Sequence, residues 1–292
     1  MGLWLDYDRA GLDAQYNLRA AVPTFQGDFD RWRRRSATTR QRARAELDIA
    51  YGDGPLEKLD LFLADSPGAP VHVFIHGGYW QAMDKSDFDF VADGFAPRSA
   101  HTAVINYPLA PAASMDKIVA AVRAALAWIW RHAGEFHGDR DRLFASGHSA
   151  GGHLTAMAML TDWRSLGPDL PVDLVKGSLA ISGIFDLEPI RLCYLNDKVG
   201  LDQDMARRNS PAVLLAAGEH RRPLGVLDFC VGGQETVEFL RQQTDFANSW
   251  AAAGGPGGIV PAPKLHHFNV VDELARPGSA LNLALRRQMG IP

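Results

Sequence analysis

The chain has 292 residues, of which 47% are hydrophobic and 22% are charged, an ordinary composition for a folded globular protein. This length fits one large α/β domain with insertions. A formal net charge of -4 excludes the basic character expected of a nucleic-acid or anionic-membrane partner. We therefore expect a small neutral or mixed-charge molecule as the partner, and no nucleic acid.

The first residues lack the basic segment and the apolar run of a signal peptide. No stretch of the sequence approaches the roughly 18 apolar residues that a membrane span requires. The two cysteines, Cys193 and Cys230, are too few for a disulfide framework, and we expect small buried thiols. These features predict a cytoplasmic protein without a membrane partner, and they leave a homodimer open.

The first part of the chain, residues 1 to about 45, is polar and helical in tendency, which predicts an N-terminal helical extension. Two short strands at 47–51 and 58–63 then form a predicted hairpin through Gly52-Asp-Gly-Pro55. Further elements are expected in the order strand 71–75, strand 102–106, helix 115–133, strand 143–146, helix 150–160 and strand 177–184.

Residues 186–222 interrupt this alternation and are predicted to form a cap-like insertion. The alternation resumes with a strand at 224–231, a helix at 236–253, a strand at 259–265 and a helix at 279–289. The predicted fold class is α/β, with a mostly parallel central sheet flanked by helices on both faces in three layers. We expect residues 1–292 to form a single domain.

The heptapeptide Gly147-His-Ser-Ala-Gly-Gly-His153 lies where a predicted strand passes into a predicted helix. A sharp turn of this kind crowds the backbone, so small residues are needed on both sides of Ser149. The turn exposes the serine hydroxyl at the end of the sheet, and the following helix directs its N-terminal amides toward nearby negative charge. The pattern predicts that Ser149 is a nucleophile.

A second motif, His76-Gly-Gly-Tyr-Trp80, follows the predicted strand 71–75. Consecutive glycines let backbone amides reach an oxyanion without an intervening side chain. We predict an oxyanion hole formed by the amides of Gly77, Gly78 and Ala150, and a hydrogen bond of His76 within its own loop. Tyr79, Trp80 and His148 are the candidates for the substrate pocket, although packing of Tyr79 and Trp80 beneath the loop is an equal alternative.

A serine nucleophile requires a base, which in this architecture follows the last strand, at His266 or His267. We choose His267, because the apolar Phe268-Asn-Val-Val271 that follows it would anchor the imidazole. The orienting acid is predicted at Glu235, after the strand 224–231, with Asp186 as the rival. The order Ser149, Glu235, His267 matches the order nucleophile, acid, base of this architecture.

With these motifs the sequence resembles an α/β-hydrolase, and more narrowly the kynurenine formamidase (arylformamidase) branch, which is similar to esterases related to hormone-sensitive lipase. The resemblance covers nearly the whole chain and includes Leu12-Asp-Ala-Gln-Tyr-Asn-Leu-Arg19, Asn106-Tyr-Pro-Leu-Ala-Pro111, Ser182-Gly-Ile-Phe-Asp-Leu187 and Glu235-Thr-Val-Glu-Phe239. It implies Ser149 as nucleophile, His267 as base and the position of Glu235 as acid. The formamidases typically have aspartate at this last position.

The resemblance implies hydrolysis of N-formyl-L-kynurenine to formate and kynurenine. Tyr79 stands in place of a third glycine of the loop, which favours a formamidase over the lipase-like group. A general short-chain carboxylesterase and a non-catalytic ligand-binding member of the fold remain as alternatives. Neither a metal nor an organic cofactor is expected, because the sequence holds no metal-binding motif.

Overall fold

The computed structural model describes residues 2–96, 99–218 and 224–292, in which a central sheet of seven strands carries helices on both faces. The strand order is β1-β2-β4-β3-β5-β6-β7. The first two strands form the antiparallel hairpin at one edge, and all strands from β4 through β7 in this order run parallel. The strands are β1 Ala45–Ala50, β2 Lys58–Phe62, β3 Ala69–Ile75, β4 His101–Ile105, β5 Gly138–His148, β6 Gly177–Ile181 and β7 Val226–Cys230.

The central strands β3, β4 and β6 are buried along their whole length, as their runs of apolar and β-branched residues predict for strands covered on both faces. The helix Ala150–Met159 packs on β3 and β6, and the helix Ala280–Met289 packs on β6. The α-helices of the described residues are α1 Arg9–Tyr16, α2 Leu18–Ala21, α3 Phe25–Arg42, α4 Met115–His132, α5 Ala150–Met159, α6 Glu188–Leu192, α7 Asn196–Val199, α8 Gln203–Arg208, α9 Pro211–Ala216, α10 Val237–Ala252 and α11 Ala280–Met289.

Capping side chains define several helix boundaries. The hydroxyl of Ser114 accepts a hydrogen bond from the amide of Lys117 at the start of α4, and the hydroxyl of Ser279 accepts from the amide of Asn282 at the start of α11. Helix α11 ends at Gly290, whose φ of 64° is a left-handed conformation that glycine adopts without strain. The alternation of helix and strand predicted from the sequence is confirmed, with boundaries shifted by a few residues.

One predicted strand is absent from the described part of the chain. Residues 259–265 make only two isolated bridges, from Ile259 to Phe229 and from Ala262 to Gly232. Pro261 and Pro263 interrupt this segment, and proline has no amide hydrogen to donate to a ladder. The prediction of a continuous eighth strand was therefore wrong, although the segment does follow β7 in a parallel direction.

The N-terminal helices and the insertion lie against each other. The amide of Tyr194, between α6 and α7, donates to Asp13 of α1 at 2.8 Å, and the Tyr194 hydroxyl donates to the carbonyl of Tyr16 at 3.3 Å. Of the predicted insertion, residues 219–222 lie outside the described residues, and the rest is dominated by the short helices α6 to α9. Among the helices that are described, none combines the length and the hydropathy that crossing a membrane requires.

The carboxyl ends of the parallel strands meet at one edge of the sheet. The register places Ile75 of β3 beside Gly147 of β5, and His148 of β5 beside Ile181 of β6. The residues that follow these strands are therefore neighbours in space, and ligands of open α/β sheets bind at this edge. The glycine-rich loop after β3 and the serine after β5 both lie at this edge.

Candidate active site

Ser149 occupies a strained turn between β5 and α5. Its φ of 59° and ψ of -119° belong to a region that residues other than glycine rarely adopt. The turn is held from both sides, since the Ser149 amide donates to the carbonyl of Ile181 at 2.8 Å and its carbonyl accepts from the amide of His153 at 3.1 Å. The strain is characteristic of the strand-to-helix turn that presents a nucleophilic serine.

The glycines around Ser149 are required by close backbone contacts. A Cβ atom added to Gly147 would lie 2.2 Å from the carbonyl oxygen of Gly151, and one added to Gly151 would lie 1.9 Å from the carbonyl oxygen of Ile75. Both distances are far below van der Waals contact. Any side chain at either position would push α5 away from the sheet, so the two glycines let the helix begin directly behind the serine.

The loop after β3 brings backbone amides next to Ser149. A Cβ atom on Gly77 would lie 3.0 Å from the Cβ of Ser149, so the main chain itself approaches the serine. Gly78 has a φ of 109°, and the non-glycine residues Tyr79 and Trp80 also have positive φ angles, of 49° and 58°. Within the described residues, the amides of Gly77, Gly78 and Ala150 donate to no other protein atom. They are available to an oxyanion bound beside Ser149.

His267 and Glu235 form a buried pair. The Nδ1 atom of His267 lies 2.6 Å from Oε2 of Glu235, and the two side chains are 3% and 0% exposed. The other carboxylate oxygen, Oε1, accepts from the amide of Gly232 at 2.7 Å and from the hydroxyl of Ser182 at 2.5 Å. A buried carboxylate with this many donors is fully compensated, and it fixes the imidazole with Nε2 directed away from it.

Ser149 and His267 line the same cavity, whose volume is about 520 Å³. In the part of the chain that is described, no hydrogen bond joins the Ser149 hydroxyl to the His267 ring; in ligand-free enzymes this contact is often long and shortens when substrate binds. The cavity wall consists of Asn17, Leu18, Arg19, Phe29, Trp32, Gly78, Tyr79, Gln81, Ala82, Met83, His148, Tyr194, Leu195, Asp197, Lys198 and Phe268.

The rival acid and the rival base lie in other surroundings. Asp186 accepts from the amide of Glu188 at 2.9 Å, and burial raises the pKa of its carboxyl. His266 is used as a turn cap, since its Nδ1 accepts from the amides of Phe268 and Asn269. The geometry therefore brings Glu235, and not Asp186, to the imidazole of His267.

The three predicted pocket residues have different positions. Tyr79 lines the cavity and its hydroxyl donates to the carbonyl of Tyr16 at 2.8 Å. His148 also lines the cavity. Trp80 does not: it is completely buried, and its indole nitrogen donates to Nδ1 of His153 at 3.2 Å. The positive φ of Trp80 turns its ring beneath the loop. Trp80 therefore packs in the core and does not line the pocket.

His148 and His76 are buried, neutral rings that support the site. Burial, with a smaller contribution from the nearby His267, holds the pKa of His148 well below its ordinary value. Its neutral ring therefore donates through Nε2 to the carbonyl of His267 at 2.8 Å. Burial also lowers the pKa of His76, whose Nδ1 lies 2.7 Å from the carbonyl oxygen of Gly77, as expected for a ring bonded within its own loop.

Sequence reasoning missed three groups of residues at this site. Ser182, which contacts the carboxylate of Glu235, has a φ of 49° and occupies the tight turn after β6. The motif Ser182-Gly-Ile-Phe-Asp-Leu187 marked this segment in the sequence, but it did not predict that Ser182 contacts Glu235. The N-terminal residues 17–19 and the insertion residues 194–198 also reach the cavity, because their segments pack against each other above it.

A second depression, of about 890 Å³, is larger and lies elsewhere on the surface. Its walls include Arg42, Arg44, Phe95, Asn282 and Arg286. It contains neither Ser149 nor His267, so size alone does not identify the candidate site. The smaller cavity is the candidate active site, because Ser149, His267 and Gly78 of the loop after β3 all line it.

Comparison with solved structures finds the same architecture in other proteins. A crystal structure of a candidate thioesterase from Silicibacter sp. superposes with a TM-score of 0.82 at 31% identity, over 94% of this chain and 98% of that one. Esterase B from Lactobacillus Rhamnosis superposes with a TM-score of 0.69 at 18% identity, over 94% and 95% of the two chains. The likeness to the second shows the fold alone.

Sequence comparison gives relatives along the full length. The kynurenine formamidase of Danio rerio is 28% identical over 99% of this chain and 99% of its own, and that of Drosophila melanogaster is 26% identical over 82% and 79%. With the fold and the serine turn, these similarities define a hydrolase of the α/β-hydrolase fold. The sequence profile of the BD-FAE family matches residues 59–212, and the chain belongs to that family.

Proposed function

We propose that this hydrolase cleaves N-formyl-L-kynurenine to formate and L-kynurenine, using Ser149, His267 and Glu235 as its catalytic triad. The observation that carries the proposal is the cavity in which Ser149 and His267 meet, with Glu235 bonded to His267 and with unpaired amides of the loop beside the serine. Full-length similarity to proteins named kynurenine formamidase supports the choice of substrate.

In the first half of the reaction, His267 takes the proton of the Ser149 hydroxyl as Oγ attacks the formyl carbon. The carbonyl oxygen becomes an oxyanion and accepts hydrogen bonds from the amides of Gly77, Gly78 and Ala150. Glu235 stabilises the imidazolium that forms. The protonated His267 then gives its proton to the aromatic amine nitrogen, the C–N bond breaks, and L-kynurenine leaves a formyl ester on Ser149.

In the second half, His267 removes a proton from a water molecule, and the resulting hydroxide attacks the formyl ester. The same amides hold the second oxyanion. When the intermediate collapses, the proton returns from His267 to Ser149 Oγ, and formic acid leaves and loses its proton to solvent as formate. Formyl is the smallest acyl group. Tyr79 lines the same cavity as Ser149 and is fixed by its hydrogen bond to the carbonyl of Tyr16, and we propose that it narrows the acyl pocket.

The decisive measurement is the release of formate and kynurenine from N-formyl-L-kynurenine by the wild-type protein and by Ser149→Ala. We expect robust turnover by the wild type. The variant should retain only the residual rate that the oxyanion amides and binding supply, about 10³ to 10⁴ above water in well-studied triads. Labelling of the wild type, and not of the variant, by a fluorophosphonate checks the nucleophile separately.

A general short-chain carboxylesterase is the second candidate, favoured by the esterase fold of the solved neighbours. It is distinguished by comparing N-formyl-L-kynurenine with p-nitrophenyl acetate and p-nitrophenyl butyrate at equal enzyme. A narrow acyl pocket predicts that the butyrate is much the poorer ester. Efficient cleavage of both esters without turnover of the formamide would replace the formamidase proposal with the esterase.

A further inference from the structure

Three charged side chains line the candidate active-site cavity. Arg19 comes from the N-terminal helices, and Asp197 and Lys198 come from α7. Within residues 2–96, 99–218 and 224–292, none of the three forms a salt bridge. By contrast, Arg31 and Arg40 of α3 each bind a carboxylate.

The three charged residues are more exposed than the reacting residues of the same cavity. Arg19, Asp197 and Lys198 are exposed, whereas Ser149 and His267 are only 3% and 2% exposed. One cavity therefore joins exposed charged residues to buried reacting residues. The wall of the same cavity also includes the apolar side chains of Leu18, Phe29, Trp32, Met83 and Phe268.

We call Arg19, Asp197 and Lys198 the charged rim. Contacts of the two segments that carry these residues hold the rim in place. The guanidinium of Arg19 lies 5.3 Å from the ring centre of Phe25 and 5.9 Å from that of Phe29, which keeps it against the cavity wall. On the other side, the amide and hydroxyl of Tyr194 bind α1 and the carbonyl of Tyr16. These contacts position Arg19 and anchor the segment that leads into α7, which carries Asp197 and Lys198.

We propose that Arg19, Lys198 and Asp197 form a subsite for the zwitterionic head of an α-amino acid. Arg19 and Lys198 bind the carboxylate, and Asp197 binds the ammonium group. An aromatic ring fits the apolar wall between this head and the acyl group at Ser149. This inference rests on the proposed function, and it names the residues that select an amino-acid substrate over a plain aryl formamide or a neutral ester.

The test compares ligands that differ only in the amino-acid tail. L-Kynurenine and 2-aminoacetophenone share the aryl amine and ketone, and only the first has the zwitterionic head. Both are used as inhibitors of p-nitrophenyl acetate hydrolysis. We expect L-kynurenine to inhibit the wild type about tenfold more tightly, because each exposed charge contact contributes modestly and several act together.

The variants Arg19→Gln, Lys198→Gln and Asp197→Asn should each weaken inhibition by L-kynurenine about 3- to 10-fold. Inhibition by 2-aminoacetophenone should change less than about twofold. Lys117→Gln is the matched control, since Lys117 is an exposed lysine of α4 that does not line the cavity. With the formamides themselves, the loss should fall on KM for N-formyl-L-kynurenine and spare 2-formamidoacetophenone.

Equal inhibition of the wild type by the two compounds, or equal shifts for both in the rim variants, overturns the subsite. This outcome is separate from the proposed activity. If neither formamide is cleaved, the formamidase proposal fails, while the inhibition of p-nitrophenyl acetate hydrolysis still decides whether the rim binds an amino-acid head.

Discussion

Glu235 stands where the formamidases that this sequence resembles typically have aspartate. Its side chain is longer than that of aspartate by one methylene. With this length Oε2 contacts His267, while Oε1 accepts hydrogen bonds from the amide of Gly232 and the hydroxyl of Ser182. At the scale of the residue, the contact with the imidazole is therefore preserved despite the substitution.

We predict that Glu235→Gln lowers kcat by about 10⁴, because the glutamine amide can donate to Nδ1 and favour the wrong imidazole tautomer, as measured for another serine hydrolase. Asp186→Asn should change kcat by less than about threefold, since Asp186 caps a turn and does not contact His267. Steady-state kinetics of the two purified variants is the measurement, and a larger loss in Asp186→Asn would reverse the assignment.

Ser182 is predicted to position Glu235. Removing its hydroxyl in Ser182→Ala leaves one of the carboxylate oxygens with a single donor, so we expect kcat to fall about tenfold while KM changes less than about twofold. Ser182→Gly is the control for backbone strain, because glycine tolerates the φ of 49°. Full activity of the glycine variant would show that the hydroxyl has no role in positioning.

At the scale of elements, the loop after β3 does not tolerate a side chain at Gly78. A Cβ on Gly78 would lie 2.1 Å from the carbonyl oxygen of Ala82, and the φ of 109° disfavours any side chain. An alanine at this position cannot be accommodated without moving the amides of Gly77 and Gly78. Glycine at this position is therefore needed for the backbone conformation of the loop and for the access of an oxyanion to its amides.

Gly78→Ala should lower kcat by about 10² to 10³, the cost of losing one oxyanion donor. Gly27→Ala is the matched control, because a Cβ on Gly27 in α3 meets no atom within 4 Å. That substitution should leave kcat unchanged and raise the free energy of unfolding by about 0.5 to 1 kcal/mol. Kinetics with p-nitrophenyl acetate and urea unfolding test both variants, and normal kcat in Gly78→Ala would exclude this loop from the oxyanion hole.

At the scale of the whole molecule, buried neutral histidines couple stability to pH. Burial lowers the pKa of His72 to about 3 and that of His153 to about 4. His72 bonds to the hydroxyl of Ser146 at 2.8 Å, and His153 links Trp80 to the carbonyl of Asn209. In the unfolded chain both rings titrate near the ordinary value of about 6.5.

The unfolded state therefore binds more protons than the folded state below about pH 6.5, and these histidines make the protein less stable as the pH falls toward their folded pKa values. His72→Asn removes one such group. We predict that the stability advantage of the wild type over this variant shrinks by about 1 kcal/mol between pH 7.0 and 5.5. Urea unfolding at the two pH values measures it, and a constant difference would contradict a buried neutral His72.

Much of the fold and part of the site were predictable from local chemistry. The serine turn follows from Gly147 and Gly151, because only small residues allow α5 to begin so close to β5. The alternation of helices and strands follows from apolar periodicity, which acts over a few residues at a time. His267 was chosen by its position after the last predicted strand, and its ring contacts Glu235 although that strand is reduced to two bridges.

Other features were decided only by tertiary packing. The contact of Glu235 with His267 joins side chains 32 residues apart in sequence, and that of Ser182 with Glu235 joins side chains 53 apart. Trp80 lies in the core because the backbone of its loop turns the ring inward, which its neighbours in sequence do not reveal. The charged rim exists because the N-terminal helices pack on the insertion. Local sequence fixes which turns and elements form, whereas contacts between distant segments depend on how the sheet aligns its strand ends.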